Sequence, residues 1–343
     1  MQSNNKVAVI AAAGSGKTEF IVETALASSD RVLITTYTNE NLGQVVKRLQ
    51  EKAGAIPANV TVMPWFTFLL SQGARPYQAA LTKAVGRVRS LNFVAQPSMY
   101  IPRTKLSYFL DSGNDIYSDR LADFVCEVNN VTGGQVVRRL EAVFDQILID
   151  EMQDLVGYDL EVLDLLLKSS IGLTLVGDPR QHTYSTSRTS KNKKYQGAGL
   201  LKWLEERDTL CAANPRTFSY RCNQEICDFA DALFPAMPAT ESRNAVRTGH
   251  DGIFRIAPED VPAYAAEHKP TVLRYAKSTK TMGLPAINIG VSKGSTYDRV
   301  LIFPTKTMLT YLRDGDPSTL SPDKLYVAVT RARYSVAFVV PKK

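Results

Sequence analysis

Short apolar runs recur along the first third of the chain, and the segments between them carry apolar residues at helical spacing. Residues 7–10 (VAVI) and 31–35 (RVLIT) are such runs. Their length and continuity suit strands buried on both faces of a parallel sheet. Across residues 39–53, Leu42, Val45, Val46 and Leu49 return every three or four positions. That spacing predicts a helix laying one face on the sheet. Further strands are predicted at 60–63, 147–149 and 173–176. Strands alternating with helices imply a doubly wound α/β unit with a parallel sheet. The pattern loosens over residues 71–140, where Pro76, Pro97 and Pro102 are mixed with separate basic residues. This stretch interrupts the strand order and reads as an inserted subdomain. After the polar, basic loop 188–195 a second α/β unit is predicted, with strands at 272–275, 287–290, 300–303 and 335–340. The expected division is therefore 1–70 with 141–190 as a first domain, 71–140 as its insertion, and 191–343 as a second domain.

The ends of the predicted strands carry the candidate chemistry. Ala11-Ala12-Ala13-Gly14-Ser15-Gly16-Lys17-Thr18 leaves the first strand and opens a helix. In that context backbone N–H groups of Gly14, Ser15 and Gly16, with the helix N-terminus, cradle phosphates. Lys17 is placed to reach the β- and γ-phosphates, and the Thr18 hydroxyl to bind Mg²⁺. A small residue, Ala11, stands where such loops usually begin with glycine. Asp150 and Glu151 follow the apolar strand 147–149. Asp150 at a strand tip suits Mg²⁺, and Glu151 suits orienting and deprotonating an attacking water. Asp178 and Gln181 follow the strand 173–176, and Gln181 can meet a γ-phosphate or its water. ATP with Mg²⁺ is the expected cofactor pair.

Composition narrows this only slightly. A chain of 343 residues with 44% hydrophobic and 22% charged residues has material for two α/β domains. No apolar run approaches the roughly 20 residues of a membrane span. The polar first six residues predict no signal peptide. Four cysteines and three scattered histidines form neither a disulfide framework nor a zinc pattern, so a reducing cytoplasm is expected. The net charge of +7 suits a polyanion, although many basic proteins bind none.

Taken in order, these segments resemble the UvrD/Rep-like superfamily 1 helicases, over nearly the whole chain. Residues 150–154 (DEMQD) match that family's DExQD box, 36–39 (TYTN) its TxTN segment, and Gly177, Asp178 and Gln181 its GDxxQ segment. Ser219-Tyr220-Arg221 resembles NYR, Ser292-Lys293-Gly294 the segment carrying KGLE, and residues 325–333 (LYVAVTRAR) the family's YVAxTRA. The resemblance implies two facing RecA-like P-loop domains with an insertion of the 1B type in the first; the 2B insertion of its larger members is not expected here, because only residues 276–286 separate the predicted strands 272–275 and 287–290. It implies Tyr220 on the nucleotide base, Gly294 near the nucleotide, and Arg221 and Arg331 on the γ-phosphate. Such arginines stabilise charge on the transferred phosphoryl group. Three departures stand out. No counterpart exists for the family's adenine-contacting glutamine, the KGLE acid is replaced by Thr296, and Gly290 occupies a usual histidine position.

The resemblance also implies a track of stacking rings and phosphate contacts for single-stranded DNA, with duplex junctions as a further substrate and 3′ to 5′ movement. Tyr37 matches a stacking aromatic. Pro64-Trp65-Phe66-Thr67-Phe68 resembles TFHSF, which offers Trp65 to a base, although Trp65 reads equally as core and Phe68 reads more readily as core than as a contact. Thr38, Thr67 and Ser292 are the candidate phosphate contacts. His182, Tyr184 and the run Arg188, Lys191, Lys193, Lys194 read either as nucleic-acid contacts or as solvated loop. The alternative to an unwinding enzyme is an ATP-gated nucleic-acid-binding subunit serving a protein partner such as a nuclease. No membrane association is expected.

Overall fold

The structure, a computed structural model, describes all residues except 1–4, 84, 85, 95, 96, 99, 184, 318, 319 and 343. It divides into two compact units. The first comprises Met1–Ile10, Lys17–Pro179 and Tyr184–Asn214; the second comprises Ala11–Gly16, Arg180–Thr183 and Pro215–Lys343.

In the first unit the apolar runs become strands and the periodic segments become helices. In chain order these are β1 (Lys6–Ala11), α1 (Lys17–Leu26), β2 (Val32–Thr36), α2 (Asn39–Ala53), β3 (Val60–Pro64) and the short helix α3 (Trp65–Phe68). Then come α4 (Ala79–Thr82), β4 (Leu91–Asn92), β5 (Ile116–Tyr117), α5 (Leu121–Val131) and α6 (Gln135–Val143). The unit closes with β6 (Gln146–Ile149), α7 (Tyr158–Leu167), β7 (Gly172–Gly177), α8 (Gly199–Glu205) and β8 (Ala212–Arg216), whose last residues enter the second unit. The main sheet has the order β3-β2-β6-β7-β1-β8, and the five strands from β3 to β1 pair in parallel. Every residue of β2 and β7 is buried, which explains their unbroken apolar character.

Two expectations need revision. Residues of the 71–140 stretch (Val88, Phe109, Ile116, Leu121, Phe124 and Val128) lie in the same core cluster as Leu33, Ile147 and Leu173 of the sheet. The insertion therefore shares the sheet's core. The second domain does not begin at residue 191, because Tyr195, Leu200, Trp203, Leu204 and Cys211 also join the first unit's core. Helix α8 buries Leu200, Trp203 and Leu204 on one face, and that burial holds 184–214 to the first unit.

The second unit adds β9 (Phe218–Ser219), α9 (Gln224–Asp231), β10 (Glu241–Ser242), β11 (Gly252–Ile256), α10 (Val261–His268), β12 (Thr271–Arg274) and β13 (Ile287–Asn288). It continues through β14 (Tyr297–Phe303), α11 (Lys306–Asp314) and α12 (Pro322–Val329) to β15 (Ala332–Val339). Its five-stranded sheet, β11-β15-β14-β12-β13, is parallel throughout. The four predicted strands are β12 to β15. β11 lay outside the reading: its half-buried Phe254 and exposed Arg255 give an edge strand with no clean apolar run. Among the described residues, no helix is long and apolar enough to cross a membrane.

Candidate nucleotide and nucleic-acid sites

In the first unit the catalytic candidates sit at the carboxyl ends of parallel strands, where α/β sheets bind ligands. The Asp150 N–H, just beyond β6, donates to the Thr35 carbonyl at 2.9 Å and continues the β2–β6 ladder by one residue. The Glu151 N–H then turns back to the Asp150 carboxylate at 2.9 Å. Glu151 itself adopts the left-handed region, φ 58°, a backbone state that is strained for a residue with a side chain. Its carboxylate is buried and held from two sides. Asn41 Nδ2 donates to Oε1 at 3.4 Å, and Gln153 Nε2 donates to Oε2.

Gln153 explains the amide in the acidic box. Its other end, Oε1, accepts the Asp178 N–H at 3.0 Å and so ties the turn after β6 to the tip of β7. Gly177 makes this possible. A Cβ there would stand 2.4 Å from Gln153 Oε1 and 2.8 Å from Met152 Cγ. Lys17 and Thr18 form the first turn of α1, both half-buried, at an N-terminus that favours anions.

The second unit contains the rest of the phosphate loop. Gly14 has φ +75°, and a Cβ would come within 2.6 Å of both Arg221 Cβ and Ser219 Oγ. Only glycine fits that approach. The Ala12 N–H donates to Arg216 O at 3.0 Å and the Tyr220 N–H to Gly14 O at 2.9 Å. The Ala13 N–H reaches the Tyr326 hydroxyl at 3.3 Å. The Ser15 hydroxyl is buried without a hydrogen-bond partner. The glycine cradle with its orphaned hydroxyl in the second unit, and the lysine-headed helix in the first, each offer donors that fit phosphate.

Arg331, almost fully buried, donates from Nε to Val327 O at 3.0 Å, from Nη1 to Ser295 O at 3.4 Å and from Nη2 to Gln181 Oε1 at 3.1 Å. Gln181, assigned by sequence to the first domain, therefore packs in the second unit. The cause lies beside it: Arg180 pairs with Asp231 at 3.2 Å and covers the Tyr326 ring at 4.9 Å. Arg221 donates to Thr330 O at 3.0 Å, which draws the two arginine-bearing segments together. Tyr220 is 55% exposed, with Arg243 donating to its hydroxyl at 3.0 Å. Gly294 lies in the loop before β14 with φ 89°.

The nucleic-acid candidates divide. Tyr37 follows β2 directly and is half-buried, its ring 5.7 Å edge-on from Phe66. Thr38 caps α2, accepting the Asn41 N–H at 3.2 Å, so its hydroxyl has a local task. Thr67 is exposed. Two assignments are corrected. Trp65 is 0% exposed and donates Nε1–H to Asp159 at 2.7 Å, so no base can stack on it. Helical spacing explains this: Trp65, Phe68 and Leu69 turn inward, Thr67 turns out, and Phe66 lies half-buried at the edge of the core. Ser292 is buried and donates its hydroxyl to Ile289 O at 2.7 Å, so that proton is already engaged within its own loop. Lys191 of the basic loop pairs with Glu161 at 3.1 Å, while Arg188, Lys193 and Lys194 are exposed and His182 is half-buried. Tyr184 lies outside the described residues.

Two parallel-sheet units, a phosphate loop and an acidic pair at strand tips define the chain as a P-loop NTPase of RecA-like fold. Family comparison refines the class. Residues 114–340 match the model of the viral superfamily 1 RNA helicase core domain, and residues 1–187 match an AAA domain model. The chain belongs to the superfamily 1 helicases, a family of nucleic-acid-dependent NTPases. No curated protein sequence matches it. Among solved structures, the arterivirus nonstructural protein 10 helicase aligns with 98% of this chain and 60% of its own, at 15% identity and a TM-score of 0.52. Its complex with DNA aligns equally, at 16% identity and a TM-score of 0.52. The PRRSV helicase aligns over 97% of this chain and 52% of its own, at 17% identity and a TM-score of 0.48. At such identities the likeness concerns the fold. The chain thus spans between half and three-fifths of these helicases' length.

Proposed function

We propose that the chain is an ATP-dependent motor that moves on single-stranded DNA, from 3′ to 5′, in the manner of the UvrD/Rep-like helicases. The observation that carries the reading is Glu151, a buried carboxylate in a left-handed turn, gripped at both oxygens by Asn41 and Gln153. A carboxylate so oriented keeps a lone pair on each oxygen to accept a water proton. Lys17 meets the phosphates, and Thr18 with Asp150 holds the cation. Bound Mg²⁺ neutralises charge on the β- and γ-phosphates. Arg221, Arg331 and Gln181 act on the γ-phosphate, Tyr220 offers its exposed ring to the base, and Gly294 lies near the nucleotide.

The choice of DNA rests on residues 150–154, which match the DExQD box. A second reading, RNA, is favoured by the description of the matching family model. A protein partner, such as a nuclease, fits the alternative role of an ATP-gated binding subunit. The test is ATP hydrolysis measured alone and with single-stranded DNA, duplex DNA and RNA. Stimulation by single-stranded DNA above RNA is expected, with Glu151→Gln losing turnover by about 10²-fold or more while ATP still binds. Equal hydrolysis by wild type and Glu151→Gln would remove the base assignment.

A further inference from the structure

Phe93 is 63% exposed, an unusual setting for a large apolar ring, and nothing in the nucleotide chemistry uses it. Its position is set by its neighbours. Leu91 and Asn92 pair with Ile116 and Tyr117 in a two-stranded ribbon. Asn92 Nδ2 donates to Asp111 Oδ2 at 2.7 Å, and Asn92 Oδ1 accepts the Val94 N–H at 3.0 Å. The ring therefore leaves a pinned turn. It meets Phe66 edge-on, centroids 5.4 Å apart, and Phe66 meets Tyr37 edge-on at 5.7 Å. Three rings from three chain segments form one continuous row. It starts at the carboxyl end of β2, passes the helix after β3, and ends on the insertion.

We infer that Phe93 is a stacking platform for an unpaired base of single-stranded DNA, extending the track from Tyr37 through Phe66 onto the insertion. The inference rests on the motor reading above. An aromatic face accepts any base, which is what a motor indifferent to sequence requires. The three side chains are uncharged, so the row offers aromatic surface to a base and no cation to a phosphate. Phe66, half-buried and packed against the core, links the exposed ring of Phe93 to Tyr37.

The test is titration of end-labelled oligo-dT with wild type, Phe93→Ala, Phe93→Tyr and Tyr37→Ala, at several salt concentrations. Phe93→Ala should weaken binding roughly 5- to 150-fold, the range for losing one base–aromatic stack. Phe93→Tyr should restore it. The slope of log affinity against log salt should stay at the wild-type value, because no phosphate contact is removed. Wild-type affinity in Phe93→Ala, failure of Phe93→Tyr to rescue, or a shallower slope would overturn the inference. If Tyr37→Ala alone weakens binding, the motor reading stands and the extension falls. If wild type binds no single strand, both fall.

Discussion

Glu151 and Arg331 illustrate opposite ways of holding a charged side chain ready. Glu151 sits in a strained backbone and is steadied by neutral amides, which leave its charge and its second lone pairs intact. Arg331 relies on the carbonyl oxygens of Val327 and Ser295 and on Gln181, so its burial is compensated by fixed dipoles. The contact at 3.1 Å makes Gln181 and Arg331 one unit. Arg331→Ala and Gln181→Ala should each lower ATP turnover, and the double variant should lose far less than the product of the two. A coupling of about 0.5–3 kcal/mol in a double-mutant cycle on kcat/KM is expected; strict additivity would separate the two residues. Both side chains were legible as motif members. Their contact was not, because the sequence reading assigned them to different domains.

At the scale of elements, the strand tips were legible and the helix α3 was not. Apolar runs that end in Lys17, Asp150 or Asp178 announce a P-loop sheet because buried parallel strands tolerate few other compositions. A four-residue helix offers no such periodicity, so Trp65 and Phe66 could not be ranked until their faces were known. The edge strands β8 and β11 were missed for a related reason: β8 is exposed along nearly its whole length and β11 is buried only at Gly252, so neither needs an apolar run. Trp65 now belongs to a buried network in which Asp159 accepts from both its indole and the Thr186 hydroxyl. Burial raises Asp159 to about 6, against the lowering effect of those hydrogen bonds. Because the folded state holds this proton more tightly, the group's stabilisation is complete below about pH 4 and is lost as pH rises through 6. Denaturation at pH 4 to 7 should show wild type losing about 2–3 kcal/mol relative to Asp159→Asn over that window. A pH-independent difference would show that Asp159 keeps an ordinary carboxylate affinity.

At the scale of the whole molecule, the proposed motor meets a second unit with a short β12–β13 connection. Only residues 275–286 separate β12 from β13, too short for an accessory domain, which needs about 40 residues. The 71–140 insertion shares the sheet's core and cannot be deleted without opening it. Strong single-strand-stimulated ATPase with weak unwinding by the isolated chain is therefore expected; processive unwinding of long duplexes in a strand-displacement assay would contradict it. The placement of Trp65 and Trp203 has a separate consequence. They are the chain's two tryptophans, both lie in the core of the first unit, and the second unit has none. The molecule is thus optically one-sided. Its indole emission reports the melting of the first unit alone, while far-ultraviolet circular dichroism follows both. Any parting of the two denaturation curves measures how independently the units unfold, without a label or a substitution.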